Sequence, residues 1–318
     1  MEIKHSIIMI CYNHEQYIRT ALDSVLCEQI KPYEIIIGDD FSTDQTREII
    51  EEYRIKYPKI IKPILNERNL GIFANVNNVI FRATGNIISL LSGDDWYKPK
   101  LLENMNQRIV ELNLNPNSSK FILMPHTVIH QQDGSEQLLR NDPNIFRRYS
   151  AVGLIFRNEF QSRNVGLSRA IYDTWPKYSE DIGPWADRVH HIMFAQHIDK
   201  LVEMDFDGPV YRIGVGIATR TRREELNRSF FRALLRIQEH YIKGELKLNV
   251  LDRNYLEYLL ACWSVSQQFS FRKFILVFKN AFRLLNMDFS GRTHLAKEFI
   301  YMLRRIASNY KHKLIKIR

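Results

Sequence analysis

Cysteine is scarce in this 318-residue chain: Cys11, Cys27 and Cys262 are the whole complement. An odd number without metal-ligand spacing excludes a disulfide framework and a zinc module. It reads instead as reduced thiols packed in the core of a cytoplasmic protein. Long apolar runs are missing too, since none approaches the roughly 20 residues that a membrane-spanning helix needs. The opening residues, MEIKHSIIMICYNHEQ, reach a His and a Glu after a short apolar stretch with no small-residue cleavage site, which argues against a signal peptide. There is no nucleic-acid-binding motif, no internal repeat and no low-complexity linker. No Gly-rich basic phosphate loop follows the first apolar segment; CYNHEQ stands there, which disfavours a nucleotidyltransferase.

Acidic charge is scarce in one region only. Residues 221–318 carry 20 Lys and Arg against 8 Asp and Glu, whereas residues 1–220 carry 25 against 28. The net charge of +9 therefore belongs to the C-terminal third, and an anionic partner is expected there. With 45% hydrophobic and 25% charged residues, the composition is that of a globular protein with a sizeable core, long enough for one large domain and an extension.

What is present alternates regularly. SIIMIC at 6–11, YEIIIG at 33–38, IIKPIL at 60–65 and NIISLL at 86–91 read as buried strands, the third at an edge because of Pro63. Helical patterns separate them, the first with Asn13 placed to cap it and the third spanning about 72–83. Continuous apolar strands alternating with helices predict an α/β fold with a mostly parallel sheet flanked by helices. In such sheets ligands bind beyond the carboxyl ends of the strands. Tyr12-Asn13-His14, Asp39-Asp40 and Ser92-Gly93-Asp94-Asp95 all lie at those ends, with Gly93 read as letting a ligand approach the backbone. A divalent ion such as Mg²⁺ or Mn²⁺ takes oxygen ligands, typically one or two carboxylates plus substrate phosphates, which suits Asp94 and Asp95. Further on, KFILMP and VIHQQDG suggest a hairpin, Glu180-Asp181 precedes a helix, and FDGPVYRIGVGIAT reads as a strand entering a Gly-rich loop. Residues 222–318 read as helical, with basic, aromatic-rich amphipathic stretches around 271–285 and 299–310.

The segments SIIMICYNHEQYIRTALDSVLCEQIKPYEIIIGDDFSTDQT and NLGIFANVNNVIFRATGNIISLLSGDDWYKP closely resemble glycosyltransferase family 2, the inverting enzymes of GT-A fold (Rossmann-like). The likeness returns at SEDIGPWADR and VYRIGVGIAT, so it marks 1–220 as a nucleotide-sugar-binding catalytic domain and 221–318 as a basic helical region. The resemblance implies that Tyr12, Asn13 and Asp39 line the nucleotide pocket, with Asp39 accepting from the base. It implies that Asn77 sits near the nucleotide or holds its loop, and that Asp94 meets a diphosphate-bound Mn²⁺ or Mg²⁺. Asp95 would contact the donor sugar or support Asp94. Asp181 would be the general base, and Arg212 would steady the departing diphosphate. Ser92 stands where many relatives have the first Asp of Asp-x-Asp, and a hydroxyl is a weaker metal ligand than a carboxylate. The absence of Gln-x-x-Arg-Trp favours addition of a single sugar. The implied partners are a nucleotide-sugar donor, most often a UDP-sugar, and a glycan or lipid-linked acceptor used in bacterial surface polysaccharide assembly at the inner face of the cytoplasmic membrane. The other reading is a catalytically weakened scaffold acting as a membrane-associated assembly partner.

A basic residue near an anionic membrane surface is worth about 1 kcal/mol. The full chain is therefore expected to sediment with anionic vesicles at low salt and to be released as salt rises. Equal indifference to anionic and neutral vesicles at low salt would remove the membrane from the picture.

Overall fold

The computed structural model describes residues 2–140, 166–174, 176–216, 221–267, 275–277 and 279–281. Strand β1 (His5–Cys11), helix α1 (Ile18–Leu26), β2 (Glu34–Asp39), α2 (Thr46–Lys56), β3 (Ile61–Leu65), α3 (Ile72–Ile80) and β4 (Ile87–Ser92) follow one another in the expected alternation. The four strands pair in parallel in the order β3-β2-β1-β4, with β3 at the edge, where Pro63 costs no shared ladder bond on its outer side.

Alternate residues of β1, β2 and β4 point to opposite faces, and both faces are covered, which is why these three read as nearly unbroken apolar runs. Ile7, Met9, Ile35, Ile37 and Ile87 join Ile18, Leu22, Val25 and Ile50 of α1 and α2 in one buried cluster. Ile8, Ile36 and Ile88 are equally buried on the alternate face, where α3 packs on β2 and β1 with Val76, Val79 and Ile80 buried. Gly38 allows this approach, since a Cβ there would come within 2.7 Å of the Val79 side chain and 2.8 Å of Asn75 Oδ1.

Beyond β4 the sheet is mixed. The chain adds β5 (Trp96–Tyr97), α4 (Leu101–Glu111), β6 (Phe121–His130), β7 (Glu136–Leu139), β8 (Gly166–Ser168), α5 (Arg169–Tyr172), α6 (Ala186–Ala195) and β9 (Lys200–Arg212). The order continues β8-β6-β9-β5, with β7 on β6. Strands β8, β7 and β5 run against their neighbours while β6 and β9 run with the first four, so the sheet is mostly parallel. The expected hairpin between KFILMP and VIHQQDG is instead one continuous strand, β6. Pro125 is accommodated by an irregular register against β9, and the turn comes later, into β7.

Two local expectations fail for tertiary reasons. Asn13 does not cap α1, which begins at Ile18; it takes a left-handed backbone (φ 55°) and bonds across to the β2 loop. Cys27 is exposed at the end of α1, while Cys11 and Cys262 are buried as anticipated.

Contacts divide the chain into Met1–Arg222 and Arg223–Arg318. The second unit contains α7 (Arg223–Ile242) and α8 (Val250–Gln267), packed on each other. Basic residues of α7, and Lys243 just after it, meet acids of that helix: Arg228 pairs with Glu225 at 3.3 Å, Arg236 with Glu239 at 3.2 Å and Lys243 with Glu239 at 2.7 Å. The amphipathic stretches expected around 271–285 and 299–310 lie outside the described residues, apart from 275–277 and 279–281. Among the described residues no helix is long and apolar enough to cross a membrane.

At the opposite end of the sheet from the Asp-rich loops, Glu34 is fully buried at the start of β2. Burial alone would raise its pKa. Donation from Lys62 Nζ at 2.5 Å, Ser6 Oγ at 2.6 Å, Thr84 N at 2.6 Å and Thr84 Oγ1 at 2.8 Å outweighs that and holds the carboxyl at about 2. A pKa below that of the unfolded chain stabilises the fold above roughly pH 4.5, and the contribution is lost as pH falls towards 2. Glu34→Gln is expected to lower unfolding stability by about 2 kcal/mol at neutral pH, since Lys62 is half exposed and partly screened. Denaturant titrations between pH 5 and pH 2 should show a flatter pH dependence in the variant than in the wild type, with the gap closing at the acid end.

Candidate active site

Because β2, β1 and β4 are adjacent and parallel, their carboxyl ends share one edge: Cys11 is in register with Asp39, and Ile10 with Ser92. Asp39, Asp40, Asp94 and Asp95 are all at most 5% exposed. Four buried carboxylates on one edge demand compensation, and each accepts hydrogen bonds from a different set of residues.

Asp39 is engaged through both oxygens. Arg47 Nε donates to Oδ1 at 2.5 Å, the Ser42 amide donates to Oδ1 at 3.1 Å, and the Ser42 hydroxyl donates to Oδ2. Asp40 braces the start of α3, accepting from the amides of Leu70 (2.7 Å) and Gly71 (2.8 Å) and from Asn66 Nδ2 (3.1 Å). Asn66 extends the network, donating to Asn75 Oδ1 and accepting from Asn78 Nδ2, while Asn75 Nδ2 donates to the Gly38 carbonyl at 2.9 Å. Asn13 ties the β1 and β2 loops together: its amide donates to Ser42 Oγ, and its Oδ1 accepts from Thr43 N, both at 2.9 Å. Tyr12, next to it, stays 39% exposed.

At the β4 end, the Ser92 hydroxyl donates to Asp94 Oδ1, so this serine orients the neighbouring carboxylate. Asp94 Oδ2 receives no hydrogen bond from the described residues. Gly93 does not face a ligand: a Cβ there would lie 2.8 Å from His14 Nδ1, 2.9 Å from Cys11 Cβ and 3.1 Å from Ile18 Cδ1. The glycine is required because β1 and α1 close against this turn. Asp95 Oδ1 accepts from the Arg212 amide at 2.9 Å, and Arg212 Nε donates to the Asp94 carbonyl at 3.1 Å. Trp96 pairs with Val210, which brings the last residue of β9 beside the Asp pair. The Arg212 guanidinium lies 4.8 Å from the Tyr17 ring and 4.7 Å from the Trp96 ring and makes no ion pair among the described residues. Asp94 thus has an open carboxylate oxygen, and its main-chain carbonyl helps to hold a cation that is also flanked by two rings.

Asp181 is exposed on the turn before α6. Asn77 of α3 secures the segment that leads into it, donating through Nδ2 to the Tyr178 carbonyl (3.0 Å) and to Glu180 Oε1 (3.3 Å), and accepting from the Tyr178 amide (2.8 Å). The Tyr178 ring stacks on His190 at 3.8 Å between centroids and on Phe73 at 5.4 Å. Burial pushes the Tyr178 phenol well up and the His190 imidazole well down, so both rings are neutral near pH 7.

Residues 6–115 match the sequence model of Glycosyl transferase family 2. An uncharacterized protein of Mycobacterium tuberculosis is 34% identical over 176 residues, 55% of this chain and 48% of its own. The chain thus spans about half the length of that curated relative. A Bacillus subtilis protein named for teichuronic acid biosynthesis and glycosyl transfer, TuaG, is 35% identical over 106 residues, 33% of this chain and 42% of its own. In fold, the chain is similar to S. aureus TarS 1–349 in complex with UDP-GlcNAc, with a TM-score of 0.59 and 17% identity over 98% of this chain and 92% of that one.

The sheet edge unites Tyr12, Asn13, Asp39, Asp94, Asp95 and Arg212, whereas Asp181 is joined to this framework through Asn77 and α3. Asn13 and Asp39 spend their side chains on the loops rather than presenting them free. Sequence reasoning missed Arg47, eight residues after Asp39, and the Tyr17–Trp96 ring pair around Arg212; only the position of Trp96, directly after the Asp pair, hinted at the latter. Arg169, at the start of α5, holds the carbonyls of Ala83 and Gly85.

Asn77→Ala removes both sides of the tie to Tyr178. Its main effect should be local: amide exchange at Tyr178 about tenfold faster, equivalent to about 1.4 kcal/mol of opening free energy, with little change in β1 and β2. Unchanged exchange would mean that the ring stack alone holds the segment.

Proposed function

We propose that this protein is an inverting glycosyltransferase that moves one sugar from a nucleotide-diphospho-sugar, a UDP-sugar in the first instance, to an acceptor hydroxyl. The observation that carries the reading is that one residue at the carboxyl edge of a parallel sheet, Asp94, keeps an open Oδ2 while its main-chain carbonyl holds the Arg212 guanidinium, which has no ion pair among the described residues. This is the pairing that a metal-bound diphosphate requires. The family match and the UDP-GlcNAc complex of TarS support it.

Asp94, with Asp95 behind it, fits a Mn²⁺ or Mg²⁺ that takes one or two carboxylates and completes its shell with phosphate oxygens. The ion's contribution is to neutralise charge on the diphosphate as it departs. Arg212 stabilises the same leaving group from a position set before substrate arrives. Tyr12 and the Asp39 loop hold the nucleoside. Asp181 takes the proton of the acceptor hydroxyl as its oxygen bonds to the anomeric carbon. The bond from that carbon to the diphosphate oxygen breaks on the opposite face, and its electron pair leaves with the diphosphate.

TuaG's name supports a place in bacterial surface polysaccharide assembly, and the basic C-terminal third is compatible with an acceptor presented at an anionic membrane. The scaffold reading has one observation in its favour: Ser92 donates its proton to Asp94 and brings no charge to the metal position.

UDP-sugar turnover with Mn²⁺ by wild type, Asp181→Asn and Asp94→Asn separates the two. Loss of a general base costs typically 10²–10⁴-fold, so Asp181→Asn should lose that much turnover while UDP binding holds. Asp94→Asn should lose Mn²⁺-dependent UDP binding as well. Equal turnover in wild type and Asp181→Asn would remove Asp181 as the base, and a wild type that binds UDP but turns over no donor would favour the scaffold.

A further inference from the structure

Phe41 is built in a way that the loop itself does not require. It has φ +65°, a left-handed backbone that a bulky side chain rarely takes and that glycine would take freely. Only four described residues other than glycine have positive φ, and two of them, Asn13 and Phe41, flank this sheet edge. The conformation is imposed from both sides: Asp40 is fixed by the amides of Leu70 and Gly71, and Ser42 by its bonds to Asp39. In return the chain gains little apolar burial, because Phe41 remains 41% exposed. Its ring is backed by the Arg47 guanidinium at 5.2 Å, the same group that neutralises Asp39. Tyr12, also exposed, adjoins Asn13, whose bonds to Ser42 and Thr43 tie its loop to the loop that carries Phe41.

A strained, exposed aromatic, backed by a cation and beside a second exposed aromatic, is a stacking platform for a flat π-system. We propose that Phe41 is a binding residue for the base of the nucleoside diphosphate, offering an aromatic face in company with Tyr12. The inference rests on the glycosyl-transfer reading above and adds to it a residue outside the resemblance's set of site residues. The competing role is structural, with Phe41 as a cover over the Asp39–Arg47 pair.

Calorimetric binding of UDP and GDP to the wild type comes first. Failure to bind either overturns the nucleotide-sugar reading itself. With whichever nucleotide binds, Phe41→Gly, Phe41→Leu and Phe41→Tyr are then compared for affinity and for Tm without ligand. Stacking on one aromatic is worth enough that Phe41→Leu and Phe41→Gly should bind about tenfold more weakly. Phe41→Tyr should bind as the wild type does, and Phe41→Gly, relieved of the left-handed strain, should melt at or above the wild-type temperature. Equal affinity across all four proteins overturns the proposal. So does a Phe41→Leu variant that keeps wild-type affinity while Phe41→Gly loses both affinity and Tm, the pattern of a cover rather than a platform.

Discussion

Four carboxylates buried along one edge of a parallel sheet cannot remain charged without partners, and the local structure around the candidate site follows from how each is answered. Asp39 takes a guanidinium and a serine, and so draws α2 towards the β2 end through Arg47. Asp40 takes two amides, which sets where α3 begins. Asp95 takes the amide of Arg212, which ties the end of β9 to the end of β4. Asp94 takes one hydroxyl and keeps one oxygen in reserve. Together these answers bring three separate stretches of chain to one place.

The half of the sheet that could be read from the sequence is the half in which strands and helices alternate along the chain. IIMI and EIII announce themselves because no polar residue interrupts them, and the parallel order follows from the helices between. The mixed half was not legible, because its ordering depends on short ladders between distant residues, such as Ile87 with Ser168 and Trp96 with Val210, which leave no local periodicity. The carboxylates were legible as types and positions. Their partners were not: that Asn13 would cross to Thr43 rather than cap α1, or that Gly93 would face His14 and Cys11, depends on which loops meet in space.

The same distinction separates Asn77 from Asp181. Both stand in recognisable motifs, yet only the folded chain has Asn77 gripping the Tyr178 backbone in both directions, so that a residue of α3 governs a segment about a hundred positions later. The stacked Phe73, Tyr178 and His190 rings give that grip an apolar foundation, and their neutrality keeps it insensitive to charge changes nearby.

Arg212 has a further consequence, in entropy. A free arginine side chain carries about 2 kcal/mol of rotamer freedom, which an anion recruiting it from solvent would have to extinguish. Here the rings of Tyr17 and Trp96 and the carbonyl of Asp94 have already stilled it, and a carboxylate has not been used to do so. Its ordering is therefore settled when the chain folds, and its full charge is still there to be met.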